Sequence, residues 1–211
     1  MSNRYKRVLV TGGAGCIGMA VCKLLHESGS QVILFDLYEQ ISMVEKDVPD
    51  GIEIYSGSVL DESSIRGAIK GCDAVIHLAA HLGVRRTELN SLRCLDININ
   101  GTKKVLDGCM ISGVKKIVFA SSSEVYGEPL TNPVMEGNLT QGKSVYAISK
   151  LAGEELIKAY ADEYGNLRYT CLRYFNTYGP YQIAQFVIPK FIRNVLTDNS
   201  PIIYGDGSQQ R

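Results

Sequence analysis

Tyr146 and Lys150 stand four residues apart in an amphipathic stretch, and Ser121-Ser122-Ser123 closes an apolar run ahead of them. On a helix the i,i+4 spacing puts phenol and ammonium on one face, where the positive charge should lower the phenol's pKa toward the working pH. A phenolate prepared in that way can take a proton from an alcohol. Tyr146 is therefore the candidate base, Lys150 its charge partner, and Ser122 the hydroxyl expected to bond the reacting group. Glu124, two residues beyond Ser122, is either a second acid/base group or a solvated loop residue. Tyr-x-x-x-Lys arises readily in a chain with twelve tyrosines, so the pattern gains its weight from position.

Two further features supply that position. Gly12-x-x-Gly15-x-x-Gly18 follows the apolar segment Arg7-Val8-Leu9-Val10-Thr11, as in a strand that turns sharply into a helix whose free N–H groups face a pyrophosphate. Asp36 ends the run Val32-Ile33-Leu34-Phe35, where a carboxylate can accept both hydroxyls of a ribose. Leu37 and Tyr38 come next, so no Arg or Lys is offered there to the extra phosphate of NADP, and the expected cofactor is NAD.

The elements that must position these groups alternate along the chain. Strands are expected over 7–11, 31–36, 52–56, 73–78, 115–121 and 169–173, and helices over 16–28, 62–70, about 89–112 and 145–163. Such alternation predicts an α/β doubly wound parallel sheet, with the serine run at a strand's C-terminal end facing the crevice where ligands bind. Residues 127–144 lack periodicity and should form a surface loop near the site. Pro201-Ile202-Ile203-Tyr204, followed by Gly205-Asp206-Gly207-Ser208, reads as a strand entering a hairpin whose return strand is missing.

Composition narrows the partners. The 211 residues are 45% apolar with a formal charge of zero, which suits one globular domain and a fragment of a second. Without a basic run, neither nucleic acid nor an anionic membrane is expected as partner. No secretion signal or spanning segment is legible, which places the chain in the cytoplasm. Cys16, Cys22, Cys72, Cys94, Cys109 and Cys171 are scattered, with no paired spacing, and read as reduced thiols rather than metal ligands. His77 and His81 flank Leu78-Ala79-Ala80 with no acid or cysteine at ligand spacing, so both read as structural.

The set Thr11-Gly12-Gly13-Ala14-Gly15-Cys16-Ile17-Gly18, His77-Leu78-Ala79-Ala80, Asn98-Ile99-Asn100-Gly101-Thr102, Ser122-Ser123-Glu124-Val125-Tyr126-Gly127, Tyr146-x-x-x-Lys150 and Arg173-Tyr174-Phe175-Asn176 resembles the extended short-chain dehydrogenase/reductases. Within them it is similar to the nucleotide-sugar epimerase/dehydratase family. The resemblance implies a Rossmann domain over 1–180, followed by the start of a substrate domain over 181–211. It implies NAD contacts from Gly12, Gly15, Cys16, Ile17, Gly18, Asp36, Ser58, Val59, Leu78, Ala79, Ala80, Asn98, Tyr146, Lys150 and Phe175. Ser122, Tyr146, Lys150 and Glu124 would be catalytic, and Ser123 and Asn176 would meet the substrate, a nucleotide-diphosphate sugar. A homodimer through the helices expected over 89–112 and 145–163 is also implied.

Three departures stand out. Ser58-Val59 replaces the family's usual Asp-Val, Tyr181 follows Tyr178-Gly179-Pro180 where Arg is common, and the family continues for roughly another hundred residues, so truncation is expected. The resemblance implies oxidation of a sugar hydroxyl, usually at C4, to a 4-keto intermediate that is then epimerised, decarboxylated or dehydrated. A 4-epimerase is expected first. Glu124 favours a UDP-glucuronate decarboxylase or 4,6-dehydratase instead, although Ser123 stands where the dTDP-glucose dehydratases carry Asp. An inactive NAD-binding module is the remaining alternative.

Overall fold

The computed structural model describes residues 5–128, 130–203 and 205–206. Six strands form one parallel sheet: β1 (Arg7–Thr11), β2 (Gln31–Asp36), β3 (Glu53–Ser56), β4 (Ala74–His77), β5 (Lys116–Ser122) and β6 (Arg168–Tyr174). Their spatial order is β3-β2-β1-β4-β5-β6, the Rossmann arrangement, in which the order reverses between β1 and β4. Strands covered on both faces need continuous apolar runs, and Leu9, Ile33, Leu34 and Val75 are fully buried.

The strands divide two apolar cores. Val8, Val10, Val32 and Leu34 meet Met19 and Cys22 of α1 (Cys16–Glu27) on one face, with α2 (Tyr38–Val44) contributing Ile41 and Val44. Leu9, Ile33, Val75, Ile117 and Phe119 meet α3 (Glu62–Ile69), which Asp61 caps through Ser63 N. All six cysteines are free, and Cys72 and Cys109 pack as small apolar residues in this second core.

The long helix expected over 89–112 is broken. It comprises α4 (Val84–Leu89), α5 (Ser91–Leu95), a π-helical turn over Asp96–Asn100 and α6 (Gly101–Ser112). The discontinuity is at Asn90, whose φ of −133° and ψ of 51° leave the helical region; within the π turn, the Asn98 amide accepts from His81 N at 2.7 Å and donates to His81 O at 3.1 Å and Ser149 Oγ at 2.9 Å. A π turn places an extra residue in the spiral and aims that side chain sideways. Helix α7 (Val145–Tyr164) begins at Ser144, whose Oγ accepts from Ala147 N, and ends at left-handed Gly165.

Residues 130–144 contain no helix or strand, as expected of that loop. Among the described residues the expected terminal strand is not found. Pro201, Ile202 and Ile203 form no strand, while Tyr204 and residues 207–211 lie outside the described residues. Two elements escaped the sequence reading, α2 and α8 (Val187–Leu196). Helix α8 carries its signal in Val187, Ile188, Phe191, Ile192, Val195 and Leu196 at spacings of three and four, with Pro189 allowed because it sits in the first turn. No helix among the described residues is long and apolar enough to cross a membrane.

Candidate active site

The C-terminal ends of β1, β2, β4, β5 and β6 open into one cleft of about 1700 Å³, lined also by the N-terminus of α1, one face of α7 and the segment leading into α8. Its floor is the glycine turn. Gly12 has φ +72°, and a Cβ there would lie 2.7 Å from Ala79 N; a Cβ on Gly18 would lie 2.1 Å from Gly12 O. The chain packs backbone against backbone at both points, which only glycine permits. Helix α1 has no side-chain cap and no acid in its first turn, so its orphan N–H groups and dipole are left for an anion.

Asp36 stands at the tip of β2 with its carboxylate fixed by Ala14 N at 3.1 Å and Leu37 N at 2.8 Å. Burial raises its pKa, and those two bonds oppose the rise. Asp36 lines the cleft. Gly12, Gly15, Cys16, Ile17, Gly18, Asp36, Ser58, Val59, Leu78, Ala79, Ala80, Tyr146, Lys150 and Phe175 all line this cleft, as do Ser122, Ser123, Glu124 and Asn176.

Asn98 does not. It is buried and ties the turn after β4 to α7 through His81 O and Ser149 Oγ. The sequence carried the residue but not its direction, which the π turn decides.

Strand β5 delivers Ser122 at its last position, and the hydroxyl caps the 3₁₀ turn Ser123–Tyr126 by accepting from Glu124 N at 3.2 Å. Helix α7 brings Tyr146 and Lys150 to the same wall one turn apart. The Nζ of Lys150 lies 5.7 Å from the centre of the Tyr146 ring and 5.0 Å from that of Phe119. Ser149, between them, donates to Tyr146 O at 2.7 Å and is itself held by Asn98.

The electrostatics differ from expectation. The Tyr146 phenol is pushed above its ordinary value, because burial and the charges of Glu124 and Cys94 outweigh the Ser122 hydrogen bond that favours phenolate. Lys150 is 2% exposed, and burial brings its pKa down to about 8. Burial therefore dominates the titration of both groups in this cleft. Glu124 is no free loop carboxylate: its Oε2 accepts from Ser144 Oγ at 3.1 Å, beside the start of α7.

His77 is structural, as read. It bonds Thr11 Oγ1 at 2.7 Å and Thr102 Oγ1 at 3.0 Å, and burial lowers its pKa to about 3. Ser121 is buried and donates to Glu154. Among the described residues, no three His, Cys, Asp or Glu side chains gather as metal ligands. The sequence alone gives Cys94, Ser149 and Arg173 no role at the site, and only the fold brings Cys94 and Arg173 to it; Tyr181, noted as a departure from the family pattern, has its ring 5.6 Å from Lys23 Nζ and a φ of +64°.

A Rossmann sheet with a glycine turn, a carboxylate at the second strand and a Ser/Tyr/Lys set on one cleft defines a dinucleotide-dependent short-chain fold. The chain belongs to the NAD dependent epimerase/dehydratase family, whose pattern matches residues 8–211. It is 38% identical to the UDP-N-acetyl-alpha-D-glucosaminuronate decarboxylase of Bacillus cytotoxicus over 98% of this chain and 66% of the relative. It is equally, 38%, identical to a putative UDP-glucose 4-epimerase of Methanocaldococcus jannaschii, over 97% of this chain and 68% of the relative. The solved UDP-glucuronic acid 4-epimerase of Bacillus cereus, in complex with UDP-glucuronic acid and NAD, superposes with a TM-score of 0.88 at 29% identity, over 96% of this chain and 67% of that one. The chain thus spans about two thirds of the length of these relatives.

Proposed function

We propose that the protein binds NAD in this cleft and is a nucleotide-diphosphate-sugar 4-epimerase acting through a transient 4-keto sugar. The observation that carries the reading is convergence. The uncapped α1 N-terminus, Asp36, Ser122, Tyr146 and Lys150 reach one cleft from four different elements. The residues fit a dinucleotide: backbone N–H groups for the pyrophosphate, the Asp36 carboxylate for a ribose diol, and Ser58 and Val59 for the adenine. Lys150 would hold the second ribose.

Bound NAD supplies the hydride acceptor and donor. Tyr146 Oη takes the proton of the sugar's C4 hydroxyl as the C–H bond at that carbon breaks, and returns it when the ketone is reduced on its other face. Ser122 Oγ hydrogen-bonds the reacting oxygen, and the Lys150 ammonium stabilises the phenolate once it forms. Ser123 and Asn176 meet the sugar and its diphosphate. Residues 1–180 carry this machinery, and 181–211 open a substrate-binding unit; the homodimer belongs to the same reading, and a monomeric mass by light scattering would count against it.

Glu124 supports a second reading, a UDP-glucuronate decarboxylase or 4,6-dehydratase. Its carboxylate lines the cleft and acts on Tyr146 electrostatically, where a second acid/base group is needed to protonate a carbon or a leaving hydroxyl. The dehydratase form is the weaker of the two because Ser123 offers no acid beside Glu124.

The test is incubation of the protein with UDP-glucose, UDP-galactose, UDP-glucuronate and dTDP-glucose, with NADH absorbance followed and products identified. Interconversion at C4 supports the epimerase. Carbon dioxide release or a 4-keto-6-deoxy product replaces it with the second reading. NAD binding without turnover of any sugar leaves a cofactor-binding module and removes both.

A further inference from the structure

We propose that Arg173 is a positioning residue for the proposed reaction, gripping both ends of the turn that carries Ser122, Ser123 and Glu124. The proposal rests on the reading of Ser122 and Tyr146 given above. Arg173 lies on β6 directly beside Ser121 of β5, its register partner. Its Nε donates to Glu154 Oε1 at 3.0 Å and its Nη2 to Glu154 Oε2 at 2.7 Å, a two-point grip on one carboxylate. Ser121 Oγ donates to the same Glu154 Oε1. The near end of the turn is thereby fixed.

The far end is held by the remaining nitrogen. Arg173 Nη1 donates to Tyr126 Oη at 3.0 Å and to Glu136 O at 3.0 Å, and the guanidinium carbon lies 4.9 Å from the Tyr126 ring centre. Tyr126 is the last residue of the turn Ser123–Tyr126, and Glu136 belongs to the loop that follows. One planar cation therefore fixes the residue before Ser122, the last residue of the turn and the loop beyond.

Glu154 completes the geometry. Tyr146, Lys150 and Glu154 follow at i, i+4 and i+8 on α7, one stripe of the helix. The carboxylate that Arg173 grips is thus two turns from the phenol, on the same rigid element, and the grip sets the Ser122 turn relative to Tyr146. Both side chains are largely shielded, 21% and 12% exposed. Lysine cannot replace this arrangement, because a single ammonium has neither the fork nor the reach to serve Glu154 and Tyr126 together. A displacement of about 1 Å at a reacting hydroxyl can cost a hundredfold in rate.

The test compares wild type with Arg173→Lys and Arg173→Gln. Expected in both is a fall in kcat of at least about tenfold, with the sugar KM and the NAD dissociation constant within about threefold. The Ser122 bond favours phenolate, so loosening the turn also moves the pH midpoint of nicotinamide reduction upward. A kcat within about twofold of wild type, an unmoved pH midpoint, or NAD affinity falling as far as kcat each overturns the proposal. If wild type turns over no nucleotide sugar, the proposed function fails instead, and amide hydrogen exchange decides the positioning role. Faster exchange in Arg173→Gln confined to residues 123–126 and 130–142, with β1 and β2 unchanged, supports it, whereas no change there or a uniform change overturns it.

Discussion

Replacing Gly18 by Ala asks whether the floor of the cleft is shaped by steric contact between backbones. An added Cβ would meet Gly12 O at 2.1 Å, the Gly13 Cα at 2.7 Å and the Gly12 carbonyl carbon at 2.9 Å. All three are backbone atoms, so no side chain can swing aside. Relief requires the first turn of α1 to lift from the glycine turn. Overpacking of this kind costs about 1–3 kcal/mol, with the upper end expected against backbone. Alanine recovers up to about 1 kcal/mol of helix propensity over glycine, leaving a net destabilisation of about 1–2 kcal/mol.

The effect on ligand binding should be larger than the effect on folding. The α1 N–H groups are the proposed anion contacts, and each hydrogen bond to a charged group contributes about 1.5–3 kcal/mol. Spoiling the geometry of one weakens NAD binding by about tenfold to a hundredfold. Urea unfolding and calorimetric titration with NAD measure the two effects on one sample. Gly137→Ala is the control, because nothing lies within 4 Å of its added Cβ. Unchanged unfolding together with NAD affinity within about twofold of wild type would refute the close-approach argument.

Three further outcomes are expected. Tyr146→Phe removes one hydroxyl and little volume, so NAD should still bind while sugar-dependent NADH formation is lost; surviving turnover would remove Tyr146 as the base. Asp36→Ser should weaken NAD and narrow its advantage over NADP by about tenfold or more, because the carboxylate at the tip of β2 no longer repels the additional phosphate; paired dissociation constants test this, and an unchanged ratio would exclude Asp36 as the discriminator. Burial lowers Lys150 from 10.5 to about 8, so between those pH values the unfolded chain binds the extra proton and stability rises with pH. Its contribution is at most about 1.4 kcal/mol per pH unit. Urea unfolding across that window should show a flatter profile for Lys150→Met, and parallel profiles would contradict the burial assignment.

What the sequence determined by itself was the set of features encoded over short distances. Apolar runs gave the inner strands, because a parallel strand covered by helices must bury both faces, and turn chemistry placed Gly12 and Gly18 between β1 and α1. The i,i+4 spacing of Tyr146 and Lys150 placed both on one wall of the cleft, since helix geometry is local. Asp36 was legible for the same reason, at the end of an uninterrupted apolar run.

Tertiary structure decided whatever depends on partners distant in the chain. The expected helix over 89–112 breaks at Asn90, where the backbone leaves helical space, and its π turn carries Asn98 to bonds with His81 and Ser149 that no local periodicity announces. Arg173 stands in the sequence only as part of a family motif and Glu154 is not singled out, until β6 and α7 bring them together around Ser121 and Tyr126. The sequence also suggested that Lys150 would lower the phenol's pKa, whereas folding buries both groups and adds Glu124, so the phenol rises and the lysine falls. Spacing along a helix fixes which groups are neighbours, but the free energy of their charges depends on how much water the packed chain leaves around them.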